Sequence, residues 1–406
     1  MIPPAPDVSA LTNYQTEIYL HGLGGAKPGL PTDLTRLEGL ARDKLDSGPY
    51  GYVAGAAGTG ATMRANREAL DSWRIVPRML RETTRRRLSS TVLGTELPAP
   101  VLLAPVGVLS IVHPDGELAV ARAAAELGVP MILSTAASHT IEEVAEASEA
   151  AVSSPSSSSS GAPRWYQLYW PTEDAVTISL LDRARSAGYT TLVVTLDTWT
   201  LGYRPLDLDG SYLPFLRGVG TAIPFSDPAF RAGLAAPPED DLMAAVGRWI
   251  PMFTGTALRW DKLPLLRANW DGPIVLKGIQ HPADAVRAIE AGVDGIVVSN
   301  HGGRQIDGAI GALDALPAIV AAVDGRFPVL FDSGIRTGAD VVKALALGAD
   351  AVLLARPYVY GLALGGQAGV RHAIRSLVTE LDVTLGLAGY ADIAELTPDA
   401  VARAAR

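Results

Sequence analysis

The 406-residue chain carries a formal net charge of −9, with 48% hydrophobic and 19% charged residues and no cysteine. The missing cysteines exclude disulfides and thiolate chemistry, and the acidic balance opposes a phosphate backbone; Arg85-Arg86-Arg87 is too short a basic run to reverse it. No apolar run reaches the ~18 residues of a membrane span, and MIPPAPDVSALTNYQ lacks the basic and apolar regions of a secretory leader, so a cytoplasmic protein without membrane or nucleic-acid partners is expected.

In chain order, residues 1–99 read as an N-terminal helical cover, with turn signals in GPYGYVAGAAG and a helix through TMRANREALDSW. From residue 100 short β-rich runs recur at 100–105, 130–135, 164–169, 191–197, 273–278, 295–300, 328–333 and 351–356. Helical stretches such as ELAVARAAAELG, ADAVRAIEAG and ADVVKALALG lie between them, each ending in a glycine suited to a left-handed C-terminal cap. Near-continuous apolar strands alternating with helices predict a (β/α)8 TIM barrel, because both faces of each strand must be buried. An open doubly wound sheet is the alternative, but APVGVLS after the first strand lacks a dinucleotide-binding glycine pattern.

The expected organisation is one domain over 11–400, with the barrel at 100–390. Residues 203–262 interrupt the repeat between strands four and five and are long enough to form a lid over the active-site mouth. SSPSSSSSG at 153–161 is low-complexity and is expected to be a disordered surface loop.

Barrel enzymes carry their chemistry where the strands end, and here those ends are polar. The chain places Pro105, Val106 and Gly107 after strand one, Ser134 after strand two, and Gln167 and Tyr169 in strand three. Thr195 and Asp197 end strand four, Lys277 strand five, and Ser299 and His301 strand six. DSGIRTG, with Asp332, Gly334 and Arg336, follows strand seven, and Arg356 follows strand eight; glycines and cations there form a phosphate cradle, against the plainer reading of an ordinary turn. Lys277, costly to bury, suits either a Schiff base or stabilisation of cofactor charge, and the residues alone leave both open. In SNHGGRQID, His301 suits a base and Arg304 a carboxylate clamp, with Asp197 behind the imidazole or simply a cap. The other histidines read as structural, and no metal site is expected.

SNHGGRQ, KGIQHP, TLDTW, YQLY and DSGIRTGADVVKALALGA together closely resemble the FMN-dependent L-2-hydroxy acid dehydrogenase family over nearly the whole chain. GYRPLDL, PFLRG and RPYVYGLALGG resemble its lactate 2-monooxygenase branch most. The resemblance implies FMN as cofactor and a small L-2-hydroxy acid and O2 as partners, with L-lactate converted to acetate, carbon dioxide and water. A 2-hydroxy acid oxidase releasing keto acid and H2O2, or a dehydrogenase using another acceptor, is the alternative.

By resemblance His301 is the base, backed by Asp197; Arg304 and Arg204 bind the carboxylate; Tyr52 and Tyr169 hydrogen-bond substrate. Pro105, Val106, Gly107, Ser134, Gln167, Thr195, Lys277 and Ser299 line the flavin, and Asp332, Gly334, Arg336 and Arg356 hold ribityl chain and phosphate. The resemblance also implies a homo-oligomer, a tetramer or octamer. Gly107 stands where several oxidases have alanine, which implies altered room beside the flavin. Ala355 replaces a usual glycine, which puts FMN affinity in question. Ala136 replaces a frequent aromatic, which leaves a substrate larger than lactate open.

Overall fold

The computed structural model describes residues 10–152, 163–254 and 258–404, so the serine-rich segment 153–161 lies outside the described residues. All eight apolar runs are strands: β1 (Val101–Leu103), β2 (Met131–Ser134), β3 (Arg164–Leu168), β4 (Tyr189–Thr195), β5 (Ile274–Ile279), β6 (Gly295–Val298), β7 (Val329–Phe331) and β8 (Ala351–Leu354). Each pairs with its neighbour in the chain, and β8 pairs with β1, closing the expected (β/α)8 barrel.

Strand alternation explains why every run is apolar throughout. Leu102, Ile132, Trp165, Val193, Val275, Val297, Leu330 and Leu353, one from each strand, form a single buried cluster that fills the barrel. Their outward neighbours, such as Leu103, Leu133, Val194 and Leu276, join the larger core shared with the helices. Three of those helices, Gly116–Glu126, Pro282–Glu290 and Gly338–Ala346, fall on the expected stretches. Gly128, Gly292 and Gly348 follow them with φ of 67°, 71° and 98°, the left-handed region that an L side chain resists.

The N-terminal region is helical only in part, over Tyr14–Gly22, Leu37–Lys44, Ser47–Ala54 and Ala61–Asp71. Its last third makes a two-stranded hairpin, Ser90–Val92 with Thr95–Leu97, turned at Leu93 and Gly94 with positive φ. Val92 and Leu97 join the barrel-filling cluster, and the Trp165 indole donates to Thr95 Oγ1 at 3.1 Å, so this hairpin plugs the barrel end opposite the active-site rim. The chain end also returns, with Val401–Arg403 pairing antiparallel to Trp73–Ile75.

Between β4 and β5 the chain runs through short helices, among them Pro205–Asp209 and Leu242–Phe253, before Leu263–Asn269 packs beside Asp174–Ser186 in the outer layer. No helix among the described residues is long and apolar enough to cross a membrane.

Candidate active site

Alternation sets the site directly. Two residues beyond six of the eight barrel-filling side chains, the next inward position is Ser134, Gln167, Thr195, Lys277, Ser299 or Asp332, all buried; beyond Leu102 and Leu353 it is Ala104 and Ala355. Register places them side by side, Ser134 against Gln167 and Thr195 against Lys277. Lys277 Nζ donates to Ser299 Oγ at 2.9 Å and lies 3.0 Å from Asp332 Oδ2. Burial works against its charge, but Asp332 and Asp197 outweigh burial and raise its pKa. With Nζ bound by Ser299 and Asp332, Lys277 suits charge stabilisation, the role the resemblance implies, over a Schiff base.

His301 starts the turn His301–Gly303 that follows β6, at the strained φ of 57°. Three contacts hold the turn: the His301 N–H donates to Ser299 Oγ at 3.1 Å, the Gly302 N–H to Ser333 Oγ at 3.0 Å, and the Gly303 N–H to Asn300 Oδ1 at 3.1 Å. A Cβ at Gly303 would fall 2.5 Å from the Met63 nitrogen, so glycine is required for this close approach. Asn300 and Asn66, both buried, exchange two amide hydrogen bonds at 2.8 and 2.6 Å, tying the turn to helix Ala61–Asp71. Asn66→Ala leaves the Asn300 amide short of a donor and an acceptor inside the protein. A loss of about 2–3 kcal/mol in denaturant unfolding of the FMN-loaded enzyme is expected, with slower flavin reduction; unchanged stability removes this anchor.

Asp197 accepts at Oδ1 from His301 Nδ1 at 2.9 Å and from the Thr198 hydroxyl at 3.0 Å. Against the upward push of burial, His301 and Lys277 hold the Asp197 carboxyl down at about 2. Burial lowers the His301 pKa, and Lys277 and Arg204 add to that against the pull of Asp197. The pair therefore rests as a carboxylate beside a neutral imidazole, with the proton on Nδ1 and a free lone pair on Nε2.

Arg204 and Arg304 come from segments a hundred positions apart and meet at the cavity. Arg204 Nε donates to the Arg304 carbonyl at 3.1 Å, and its Nη2 to Gln305 Oε1 at 2.6 Å. Arg304 Nη1 donates to the Gly55 carbonyl at 2.8 Å, and the Arg304 guanidinium lies 5.3 Å from the Tyr52 ring centroid. Burial, then Arg204 and Arg356, pull Arg304 down to about 9, so an anion is wanted here. Burial raises the Tyr169 pKa, with Tyr52 and Asp197 adding to it, so this phenol stays a donor.

At the far end of the cavity Gly334 sits at φ 116° beside Arg336. The Arg336 side chain donates to its own neighbour's carbonyl, Ile335, at 2.8 Å, and burial with Arg356 pulls its pKa to about 10. Arg356 instead bonds the carbonyls of Val53, Gly302 and Gly55, and so ties the turn to helix Ser47–Ala54.

These groups line one cavity of about 1290 Å³, its open mouth included. Tyr52, Pro105, Val106, Gly107, Tyr169, Arg204, Lys277, His301, Arg304, Asp332, Gly334, Arg336 and Arg356 all face it. Ser134, Gln167, Thr195, Ser299 and Asp197 stand behind that lining. Sequence reasoning expected a lid at 203–262 but did not single out its aromatics: Phe215 and Trp249, with ring centroids 4.7 Å apart, and Phe253, 5.5 Å from Trp249, line the cavity and look in sequence like ordinary core aromatics.

A Cβ at Gly107 would lie 2.5 Å from the Ala136 carbonyl oxygen, so this glycine, besides lining the cavity, permits close contact between two loops. Ala355 lines the cavity, so its methyl stands in the cofactor space where the sequence reading put it.

Residues 41–403 match the family model described as FMN-dependent dehydrogenase. The chain belongs to this family. It is 48% identical, over 96% of both chains, to "FMN-dependent alpha-hydroxy acid dehydrogenase qulF" of Penicillium citrinum. It is 42% identical to an L-lactate oxidase of Lysinibacillus sphaericus, over 91% of this chain and 92% of that one. A crystal structure of mandelate oxidase superposes with a TM-score of 0.76 at 38% identity, covering 90% of this chain and 96% of the other.

FMN is accordingly the cofactor of this oxidoreductase, and its residues fit one. Ser134 Oγ donates to Gln167 Oε1 at 3.0 Å, which leaves Gln167 Nε2 a buried donor with no hydrogen-bond partner among the described residues. Such a donor on the same rim as Lys277, together with Arg336 in the cavity, suits a polar ring edge and a phosphate.

Proposed function

We propose that this enzyme oxidises a small L-2-hydroxy monocarboxylic acid with molecular oxygen, turning L-lactate into acetate, carbon dioxide and water. The observation that carries this reading is His301, hydrogen-bonded through Nδ1 to Asp197, in one cavity with Arg204 and Arg304. Bound FMN accepts the two electrons removed from the substrate. His301 Nε2 takes a proton, and Asp197 stabilises the imidazolium that results. Arg304 and Arg204 hold the carboxylate, Tyr52 and Tyr169 orient the hydroxyl, and Lys277 offsets negative charge as oxidation proceeds.

Segment 203–262 serves as a lid in this reading. Phe215, Trp249 and Phe253 from it roof the cavity, and a cover that opens slowly keeps the keto acid together with the hydrogen peroxide formed from oxygen, which oxidises it to acetate with release of carbon dioxide and water. Ala136, facing the same cavity, favours a second reading: it leaves room for a side chain larger than methyl, as in an oxidase that releases its keto acid with hydrogen peroxide.

Anaerobic L-lactate is expected to bleach the yellow enzyme, and one aerobic turnover to yield acetate. Pyruvate with peroxide in its place favours the second reading. Yellow protein that no 2-hydroxy acid bleaches overturns both.

A further inference from the structure

Asp207 is a partly buried carboxylate that the chemistry above does not use. It sits in helix Pro205–Asp209, with Oδ2 3.9 Å from Arg204 Nη1, and it does not line the cavity. Its Oδ1 is buried with no hydrogen-bond partner among the described residues. A carboxylate desolvated without hydrogen bonds is costly and persists only where nearby positive charge compensates it. Burial raises its pKa, while Arg304 and Arg204 pull it back down. The Arg204 guanidinium is held in place by the Arg304 carbonyl and Gln305, so Asp207 is not needed to orient it.

We propose that Asp207 is a resident counter-charge that matches the substrate end of the cavity to a single carboxylate, admitting monocarboxylic hydroxy acids and disfavouring dicarboxylic ones. The inference rests on the hydroxy-acid reading above. Two guanidiniums less one carboxylate leave one net positive charge facing the cavity. Deeper in, Lys277 is already matched by Asp332, and Asp197 adds a further negative charge beside His301. Arg336 and Arg356, the remaining cations of the cavity, are the ones assigned to the FMN phosphate, so in the loaded enzyme a second carboxylate on the ligand meets no unmatched cation. Removing the charge of Asp207 adds one unit of attraction for a monoanion and two for a dianion, because Coulomb energy scales with the ligand's charge.

The test uses the FMN-loaded enzyme, with propionate as monoanion and malonate as dianion of the same carbon count. Dissociation constants are measured by calorimetry at fixed ionic strength. In Asp207→Asn, propionate is expected to bind about 10-fold tighter and malonate about 100-fold tighter, the size expected for a unit charge about 10 Å away at an effective dielectric near 20, less some screening. KM for a monocarboxylic hydroxy acid should fall with little change in kcat. Asp207→Ser must repeat the pattern, and Asp207→Glu must keep the wild-type ratio.

Equal gains for both anions, weaker binding of both, or no change overturn the proposal, since a residue that only props Arg204 moves both ligands alike. Anion binding requires no turnover. An enzyme that binds both probes yet is reduced by no hydroxy acid defeats the functional reading alone, whereas a fixed malonate-to-propionate ratio in an active enzyme defeats this one alone.

Discussion

His301→Gln is expected to retain FMN and lose at least about 10²-fold in the rate of anaerobic flavin reduction, the usual scale of a general-base contribution. FMN retention follows from the site's layout, because the imidazole bonds Asp197 while its backbone N–H makes the Ser299 contact that positions the turn. The pH profile of the wild type has a definite sign. As the proposed base the imidazole would act in its neutral form, and burial lowers its pKa from the ordinary histidine value. The reductive rate should therefore be at its plateau at pH 7 and fall only as acid protonates His301. Asp197, held at about 2, stays ionised throughout that range. A reduction rate in His301→Gln equal to wild type removes the residue from the role of base.

Lys277→Met should damage both rate and stability, and the two losses can be separated. Removing the ammonium strands Asp332, 3.0 Å away and buried, which is expected to cost about 3–5 kcal/mol in unfolding free energy. The charge that offsets developing negative charge also goes, at about 10²–10³-fold in reductive rate. In Lys277→Met/Asp332→Asn the stranded carboxylate is gone, so most of the stability should return while the rate stays low. Recovery of the rate in that double variant would show that Lys277 only balances Asp332.

Much of this molecule was legible before any coordinates. The eight apolar runs name the barrel because a strand buried on both faces admits few polar residues. The same alternation carries Ser134, Gln167, Lys277, Ser299 and Asp332 inward two positions beyond the filler layer. The plug hairpin was missed although its signal was present, a β-branched run broken by Leu93-Gly94, because three-residue strands give too short a period to weigh against the surrounding helices. At Gly107 a contact was missed for a different reason. Local sequence reports that a methyl is absent, but the object occupying its place, the Ala136 carbonyl, comes from another strand's loop.

Sequence by itself determined the class of fold, the residue chemistry at each strand end and the order in which those ends appear around the rim. Tertiary structure alone decided which distant groups meet: Asn66 with Asn300, Arg204 with the Arg304 carbonyl, and Trp249 and Phe215 over the cavity. The division has a physical cause. Periodicity records which face of a strand or helix is buried, a property of neighbours in the chain, whereas barrel closure and the path of a long insertion join segments whose contacts leave no local period.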